Sequence, residues 1–501
     1  MLPSLEHWLK QVPRPAWVSA YLVLVTGLLT LLFASWAYDD PFITYRYAEN
    51  LSRGLGLVYN PGELRLSTTT PLFALLLAAL HTVWADLHGV AVFTGALSLA
   101  LGGLFLWDLM DAPGLRFSRW TGLLFYPLFP LAASTLSSET PLYLALCLGA
   151  FASYRRQSYR LAALSAGLAA LARPDAVLVA LTLGLHYAWS HRPIKDGWRQ
   201  WLSNLPWQAV AIYLSIGFSW VLFAWITYGS PIPLTLYAKQ QQALVEGSQA
   251  FLPGMLTIAG WYASWLYQAQ ALLALPGLVF GLVRLPALRW LAAWTVLYIA
   301  SYSLLGVNRY FWYYAPLVPL FVLAFGCGLD GLYAIFSASL RKVHTTEVVT
   351  TIMHTIISLL PKLVFGFLLL VQLGKLWNMH LSPDARYPIY RAAGEWLREN
   401  TPADDSVGAV EVGIIGYYSQ RRMVDFAGLI QPDIAQQLGI SRSYDGAALW
   451  AFEHYPVDTL VAHLDTGSVL ASEGASRCQL QITLTGAEYG YAHDLGIFTC
   501  P

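Results

Sequence analysis

Apolar residues along this chain fall into long blocks, and roughly 20 apolar residues in a row are the length of a membrane helix. Eleven segments read this way: 17–37, 88–108, 119–136, 140–154, 160–173, 174–190, 206–228, 262–283, 289–306, 311–335 and one within 349–378. Pro361 and Lys362 interrupt the last. The two segments around Arg173-Pro174-Asp175 are short, which suits a helical hairpin broken at Pro174. From about Arg386 the pattern changes. "YPIYRAAGEWLREN" places Ile389, Ala392, Ala393, Trp396 and Leu397 on one helical face. Short apolar runs follow, "SVGAVEV", "RMVDFAG", "DTLVAHL" and "QLQITLTG", separated by Gly and polar residues as strands are. The expected organisation is an all-α polytopic membrane bundle over 1–380, with a loop at 38–86, and a small α/β domain over 381–501.

Charge orients the bundle. One set of loops holds Lys10, Arg14, Arg116, Arg119, Arg155, Arg156, Arg160, Arg192, Lys195, Arg199, Arg284, Arg289, Arg341 and Lys342, 14 in all. The opposite set holds Arg46, Arg53, Arg65, Arg173, Lys239 and Arg309, which is 6. The richer side is expected to face the cytoplasm. Eleven crossings then put the C-terminal domain outside, and Thr70 to Asp86 must lie on the outer face as an amphipathic or re-entrant helix. Composition agrees with a membrane protein: 12% of residues are charged, against about 25% in soluble domains. A net charge of zero gives a nucleic-acid role no support. Val18 to Ala37 reads as a span rather than a cleaved signal. Cys147 and Cys327 fall in apolar runs, whereas Cys478 and Cys500 lie in the polar tail, where a disulfide is plausible outside the cytoplasm.

Chemistry concentrates after the first span, in "WAYDDPFITYRYAEN". Charge that close to hydrocarbon is costly unless it acts. Asp39 or Asp40 can accept a proton from an attacking hydroxyl, with Asp40 nearer the loop. The pair can instead bind a divalent cation, Mg or Ca, together with a phosphate. Tyr45, Arg46 and Glu49 follow on an amphipathic stretch that suits sugar binding, though Arg46 and Glu49 are spaced to pair with each other. The outer cations work against the insertion bias, and neutralising phosphate is a reason to keep them. Glu139 stands at an outer helix start. His81 and His88 lie roughly on one face, two turns apart, too far for a ligand pair without help. Glu411, Tyr417, Tyr418, Asp425 and Gln431 cluster where they could touch an acceptor. The chain has no Gly-rich phosphate loop for a nucleotide and no internal repeat.

"YDDPFITYRYAENLSRGLGLVYNPGE" and the following "STTTPLFALLLA" resemble the first outer loop of bacterial GT-C glycosyltransferases, nearest to the terminal arabinofuranosyltransferase branch. "SSETPLYLAL", "GLAALARPDAVL", "YGSPIPLTLYAKQ", "NRYFWYYAPLVPL" and "VGAVEVGIIGYYSQRRMVDFAGL" continue the likeness in order. Ser137-Ser138 replace a Gly-containing pair, and Leu234 stands where Asn is common. The resemblance implies a bacterial inner-membrane enzyme that moves a sugar, arabinofuranose or a hexose such as mannose, from a polyprenyl phosphate. Its acceptor would be a hydroxyl on a glycan, lipid or protein outside the cytoplasm. On that reading Asp40 or Asp39 is the base, and Arg173, Lys239 and Arg309 hold the lipid phosphate. The rival class is a transporter or flippase, which would want ionisable groups at mid-span and pseudo-symmetric halves. Asp108, Asp111 and Asp330 lie near span ends instead.

Overall fold

The computed structural model describes residues 14–192, 198–261, 263–340, 347–465 and 468–501. Lys10, Lys195, Arg341 and Lys342, counted among the loop cations, lie outside them. Among the described residues, seven helical segments are long and apolar enough to cross a membrane: Pro15–Phe33, Leu87–Leu109, Trp207–Tyr228, Trp265–Arg284, Pro286–Leu305, Phe311–Ser339 and Leu359–Asn400. The apolar windows of Leu87–Leu109 and Phe311–Ser339 are 61% and 67% buried, against 11% for Trp207–Tyr228, so the first two form the centre and the last is peripheral. Glycines let neighbours meet backbone to backbone. A Cβ on Gly277 would lie 2.0 Å from the Ala324 carbonyl oxygen, and one on Gly328 would lie 2.2 Å from that of Leu273. This small-residue contact joins Trp265–Arg284 to Val318–Leu340.

The remaining expected spans take shorter forms. Thr140–Arg155 has 16 residues, and Tyr159–Ala172 and Val177–Ser190 have 14 each. At about 1.5 Å per residue, none reaches the roughly 30 Å of a hydrocarbon core by itself. Arg173 and a single 3₁₀ turn, Pro174–Ala176, separate the last two, so the chain does break at Pro174. The segment 119–136 departs further from a regular span. It forms Phe117–Trp120, a π turn at Thr121–Phe125 and Pro130–Ala133, with Pro127 in the gap. Pro127 and Pro130 each remove an amide donor. The break is tolerated because the segment is buried in protein. One end is held by Asp330, whose carboxylate accepts the amides of Arg116, Phe117 and Ser118 at 2.9, 2.8 and 3.0 Å. At the other end Tyr45 donates to the Ser137 carbonyl. Pro71–His81 has only 11 residues and is likewise too short to cross by itself.

Charges separate to the two ends of the bundle. At the Leu109 end of Leu87–Leu109, Arg156 pairs with Asp108 and Arg119 with Asp111. Asp39 and Asp40 lie at the end where Leu87–Leu109 begins, close to Ala34, whose carbonyl is 3.1 Å from His88 Nε2.

The C-terminal domain opens with Arg386–Asn400, which buries Ile389, Tyr390, Ala393, Gly394 and Leu397. Five strands follow: β1 (Ser406–Ala409), β2 (Arg422–Asp425), β3 (Thr459–His463), β4 (Gln479–Leu484) and β5 (Leu495–Thr499). They lie in the order β2-β1-β3-β5-β4. β1 is parallel to β2 and β3, and β5 is antiparallel to β3 and β4. A disulfide joins Cys478, just before β4, to Cys500, just after β5.

This domain is locked onto the loop that follows the first helix. The Arg46 guanidinium is buried and donates to the carbonyls of Tyr59, Gly416 and Arg421. Glu49 does not pair with Arg46. It binds Arg53 at 2.6 Å and accepts Gln420 Nε2 at 2.7 Å. The reason is helical: Arg53 lies four residues on, one turn away on the same face, while Arg46 turns inward. Asn60 closes the seam, accepting the Met423 amide and donating to its carbonyl, both at 3.0 Å. On the far side Leu234–Gln242 packs on Pro432–Ser441, so closely that a Cβ on Gly439 would meet Gln241 Oε1 at 1.9 Å.

Arg46→Leu is expected to remove the donor of the buried Arg421 carbonyl and one of the donors shared by the Tyr59 and Gly416 carbonyls, which also take Asn50 and Gln420, and to destabilise the chain by about 2–4 kcal/mol. The measurements are melting temperature in detergent and protease cleavage between Leu381 and Arg386. An unchanged melt with no new cleavage would show that Arg46 does not hold the domain.

Candidate active site

Adjacent residues at a helix start point about 100° apart, so a carboxylate doublet there faces two neighbours. Asp39 precedes the helix Asp40–Ser52 and turns toward the C-terminal domain. Its Oδ2 accepts the Gly413 amide at 2.8 Å and its Oδ1 the Ile414 amide at 2.7 Å, at the start of the short helix Gly413–Ser419. Only glycine fits here, since a Cβ on residue 413 would meet the Asp39 carbonyl oxygen at 2.0 Å. Burial, and next the nearby Glu411, hold the Asp39 carboxyl well above its ordinary pKa, with the two amides pulling the other way.

Asp40 turns the other way. Its Oδ2 lies 2.9 Å from Lys239 Nζ, and its side chain is 32% exposed, against 9% for Lys239. The ion pair is therefore open to a ligand on the Asp40 side. The ammonium also sits 3.9 Å above the Tyr310 ring and 5.5 Å from that of Trp312. Burial draws the lysine pKa down, but Asp40 and Tyr310 outweigh it, and Lys239 stays charged.

A second group lies along the same aromatic wall. Arg173 binds Asp175 at 2.8 Å and Glu139 at 3.4 Å, and donates to the Tyr302 hydroxyl at 2.6 Å. Tyr302 in turn donates to Asp175. Tyr313 links the two groups. Its ring is 5.5 Å from the Arg173 guanidinium and 5.8 Å from the Tyr310 ring under Lys239. Tyr38, just before the doublet, stacks on Trp312 at 5.1 Å.

Arg309 takes a third position. The Asn308 amide touches the Lys239 carbonyl, and the Arg309 side chain runs on to Gln249 Oε1 at 2.6 Å. Among the described residues it has no carboxylate partner. Beyond it, an apolar cavity of about 360 Å³ opens among Phe129, Met255, Ile258, Tyr267, Tyr314 and Phe321.

The three candidate cations thus differ in how far they are neutralised. Arg173 faces two carboxylates, Lys239 one and Arg309 none. Of the other candidates, Arg46 and Glu49 are committed to the domain seam, and Tyr45 is buried against Ser137. Tyr417 and Tyr418 pack on Phe42. Asp425 binds the amides of Ala427, Leu429 and Ile430 in its own turn, and Gln431 accepts the Asp425 amide. His81 and His88 do not share a helix face, because the turn at 82–86 separates their helices. No group of three or more His, Cys, Asp or Glu with metal-binding geometry occurs among the described residues. Both Asp39 oxygens are taken by amides and Asp40 by Lys239, which fits a divalent cation poorly.

The sequence reading missed Tyr302, Tyr310, Trp312 and Tyr313 as parts of the site. Five consecutive aromatic residues, Tyr310 to Tyr314, were the available signal.

Two solved structures share this architecture over nearly the full length. ArnT from Cupriavidus metallidurans bound to undecaprenyl phosphate matches with a TM-score of 0.61 and 14% identity, over 97% of this chain and 98% of that one. The apo form of ArnT matches at 0.57, with the same identity and coverage. Arabinosyltransferase EmbB from Mycobacterium smegmatis overlaps at 0.42 with 12% identity, over 95% of this chain and 46% of that one, too slight a likeness to argue from. A family described as a domain of unknown function, DUF8728, matches residues 378–445, the stretch that carries Glu411 and Gly413. No curated protein sequence matches. The likeness to ArnT is one of fold: this chain shares its architecture, a helical bundle with spans long enough to cross a membrane and a small C-terminal α/β domain.

The doublet should divide under mutation. Asp39→Ala leaves two buried amides unpaired and is expected to cost about 2–4 kcal/mol. Asp40→Ala removes a part-exposed ion pair and is expected to cost less than about 1 kcal/mol. Melting curves in detergent compare them, and equal losses would refute the division of roles.

Proposed function

We propose that this chain transfers a sugar from a polyprenyl phosphate to an acceptor hydroxyl, with Asp40 as general base. The observation that carries the reading is the open Asp40–Lys239 pair, set near Arg309, a cation with no carboxylate partner among the described residues, and an apolar cavity. Lys239 and Arg309 would hold the donor phosphate, since they have the least carboxylate opposition. The prenyl chain would follow Arg309 into the cavity at Met255 and Tyr314. That ArnT, with the same fold, was solved with undecaprenyl phosphate bound supports a lipid phosphate as the donor's carrier.

In the transfer step the acceptor oxygen attacks the anomeric carbon. The bond from that carbon to the phosphate oxygen breaks, and its electron pair leaves with the polyprenyl phosphate. The acceptor proton passes to the Asp40 carboxylate. Lys239 and Arg309 stabilise the charge growing on the leaving phosphate. Lys239 has a double use. A phosphate that draws the ammonium away leaves Asp40 free to accept a proton, so donor binding would switch on the base. Arg173 holds Tyr302 and flanks Tyr313, and its role in this reading is to fix the aromatic wall. Asp39 holds the domain beside the base and takes no part in the proton transfer.

The distribution of 14 loop cations against 6 supports an active site on the extracytoplasmic face of a bacterial inner membrane. The Cys478–Cys500 disulfide supports an oxidising compartment for the C-terminal domain.

The test is a transfer assay in detergent with a panel of polyprenyl-phosphate sugars. Asp40→Asn is expected to lower turnover by about 10²- to 10⁴-fold. Lys239→Met is expected to weaken undecaprenyl phosphate binding by about tenfold or more, equivalent to roughly 1.4 kcal/mol. Turnover that survives Asp40→Asn, or lipid phosphate binding indifferent to Lys239→Met, would end the reading.

A further inference from the structure

A second cavity, of about 310 Å³, lies in the C-terminal domain. It opens at the carboxyl ends of the parallel strands β1 and β3, where ligands of open α/β sheets bind. Tyr390, Glu411, Asp445, His463, Asp465 and Ser468 supply its polar lining. Asp465 is paired with His493 at 2.7 Å. Tyr390 and His463 face each other across 3.2 Å, and burial holds the imidazole pKa below its usual value, so it is mainly neutral. Among the described residues, neither the Glu411 nor the Asp445 carboxylate has a hydrogen-bond or ion-pair partner. Such groups need a donor from a ligand or from water.

The cavity is tied to the reaction site through the chain. Glu411 stands two residues before Gly413, whose amide is held by the Asp39 carboxylate, and Asp39 precedes Asp40. Glu411 also lies near enough to feel the Asp40 and Lys239 charges, so a molecule resting on it sits close to the base. Charge selects its chemistry. Carboxylates repel phosphate, so the lipid carrier belongs on the Lys239 and Arg309 side. Carboxylates accept sugar hydroxyls well, and Tyr390 adds an aromatic ring with a hydroxyl, able to pack on a pyranose or furanose.

We infer that this cavity is the acceptor subsite, and that it binds an uncharged glycan whose terminal hydroxyl reaches Asp40. The inference rests on the transferase reading above and adds the substrate class to it.

The experiment uses the full chain in nanodiscs with mannotriose and arabinotriose as neutral probes, and spermidine and mannose 6-phosphate as charged ones. Saturation-transfer NMR reads binding. A neutral trisaccharide is expected to bind, and Glu411→Gln and Asp445→Asn are each expected to weaken it by about tenfold or more. On the unmodified chain the same trisaccharide should protect Glu411 and Asp445 from carbodiimide labelling, a result that holds even if a variant fails to fold. Binding of only spermidine or only mannose 6-phosphate, equal binding to both variants, or absence of protection would overturn the inference. Cleavage of polyprenyl-phosphate sugars by the wild-type chain is scored separately. Its absence would sink the transferase reading, while glycan binding would still decide what the cavity holds.

Discussion

The Asp39 carboxylate, gripping two backbone amides at the head of Gly413–Ser419, joins the two parts of this molecule at the point where chemistry is concentrated. A buried carboxylate with two amide donors is hard to displace, because each donor left behind would be unsatisfied. Gly413 makes the contact possible by carrying no Cβ. Asp40 is the next residue along, so any shift of the C-terminal domain would move the carboxylate that faces Lys239. The Arg46 and Asn60 contacts reinforce the same seam. The membrane bundle and the α/β domain therefore behave as one rigid frame around the doublet, which suits a site that must align two substrates.

Around that frame, opposite charges are kept in separate places. Lys239 lies against Asp40 and the Tyr310 ring and Arg309 against Gln249, while the carboxylates of Glu411 and Asp445 line the cavity of the α/β domain. Burial and then the Asp40 charge raise the Glu411 pKa, with Arg386 and Lys239 opposing. An anionic carrier and a neutral polyol would approach Asp40 from different sides without competing for one surface.

Much of the framework was legible in the residues because it depends on local rules. Apolar block length marked the long helices, Pro174 marked the break beside Arg173, and the composition change near Arg386 marked the α/β domain. The short alternating runs marked β1 to β4, while β5, a brief "LGIFT" run near the end, was passed over. The site was legible only in part. Asp40, Lys239, Arg173 and Arg309 stood out as charges in unlikely places. Which partner each would meet depends on contacts between residues as far apart as Asp39 and Gly413, and no periodicity records those. Asp39 and Arg46 looked reactive for the same reason they are structural: both kinds of role draw charge into buried surroundings. The 119–136 segment misled for a related reason. Its mean hydropathy is that of a span, yet Pro127 and Pro130 forbid a continuous helix, and burial makes the irregular path affordable.

That irregular path has a consequence for how the protein is made. A segment with two missing donors and a π turn has backbone groups that lipid cannot satisfy, so it has no stable state alone in the bilayer. Its lower end needs Asp330, which is synthesised more than two hundred residues later. Insertion of 117–136 must therefore wait, sheltered among earlier helices or held by the insertion machinery, until the Val318–Leu340 helix arrives to cap it.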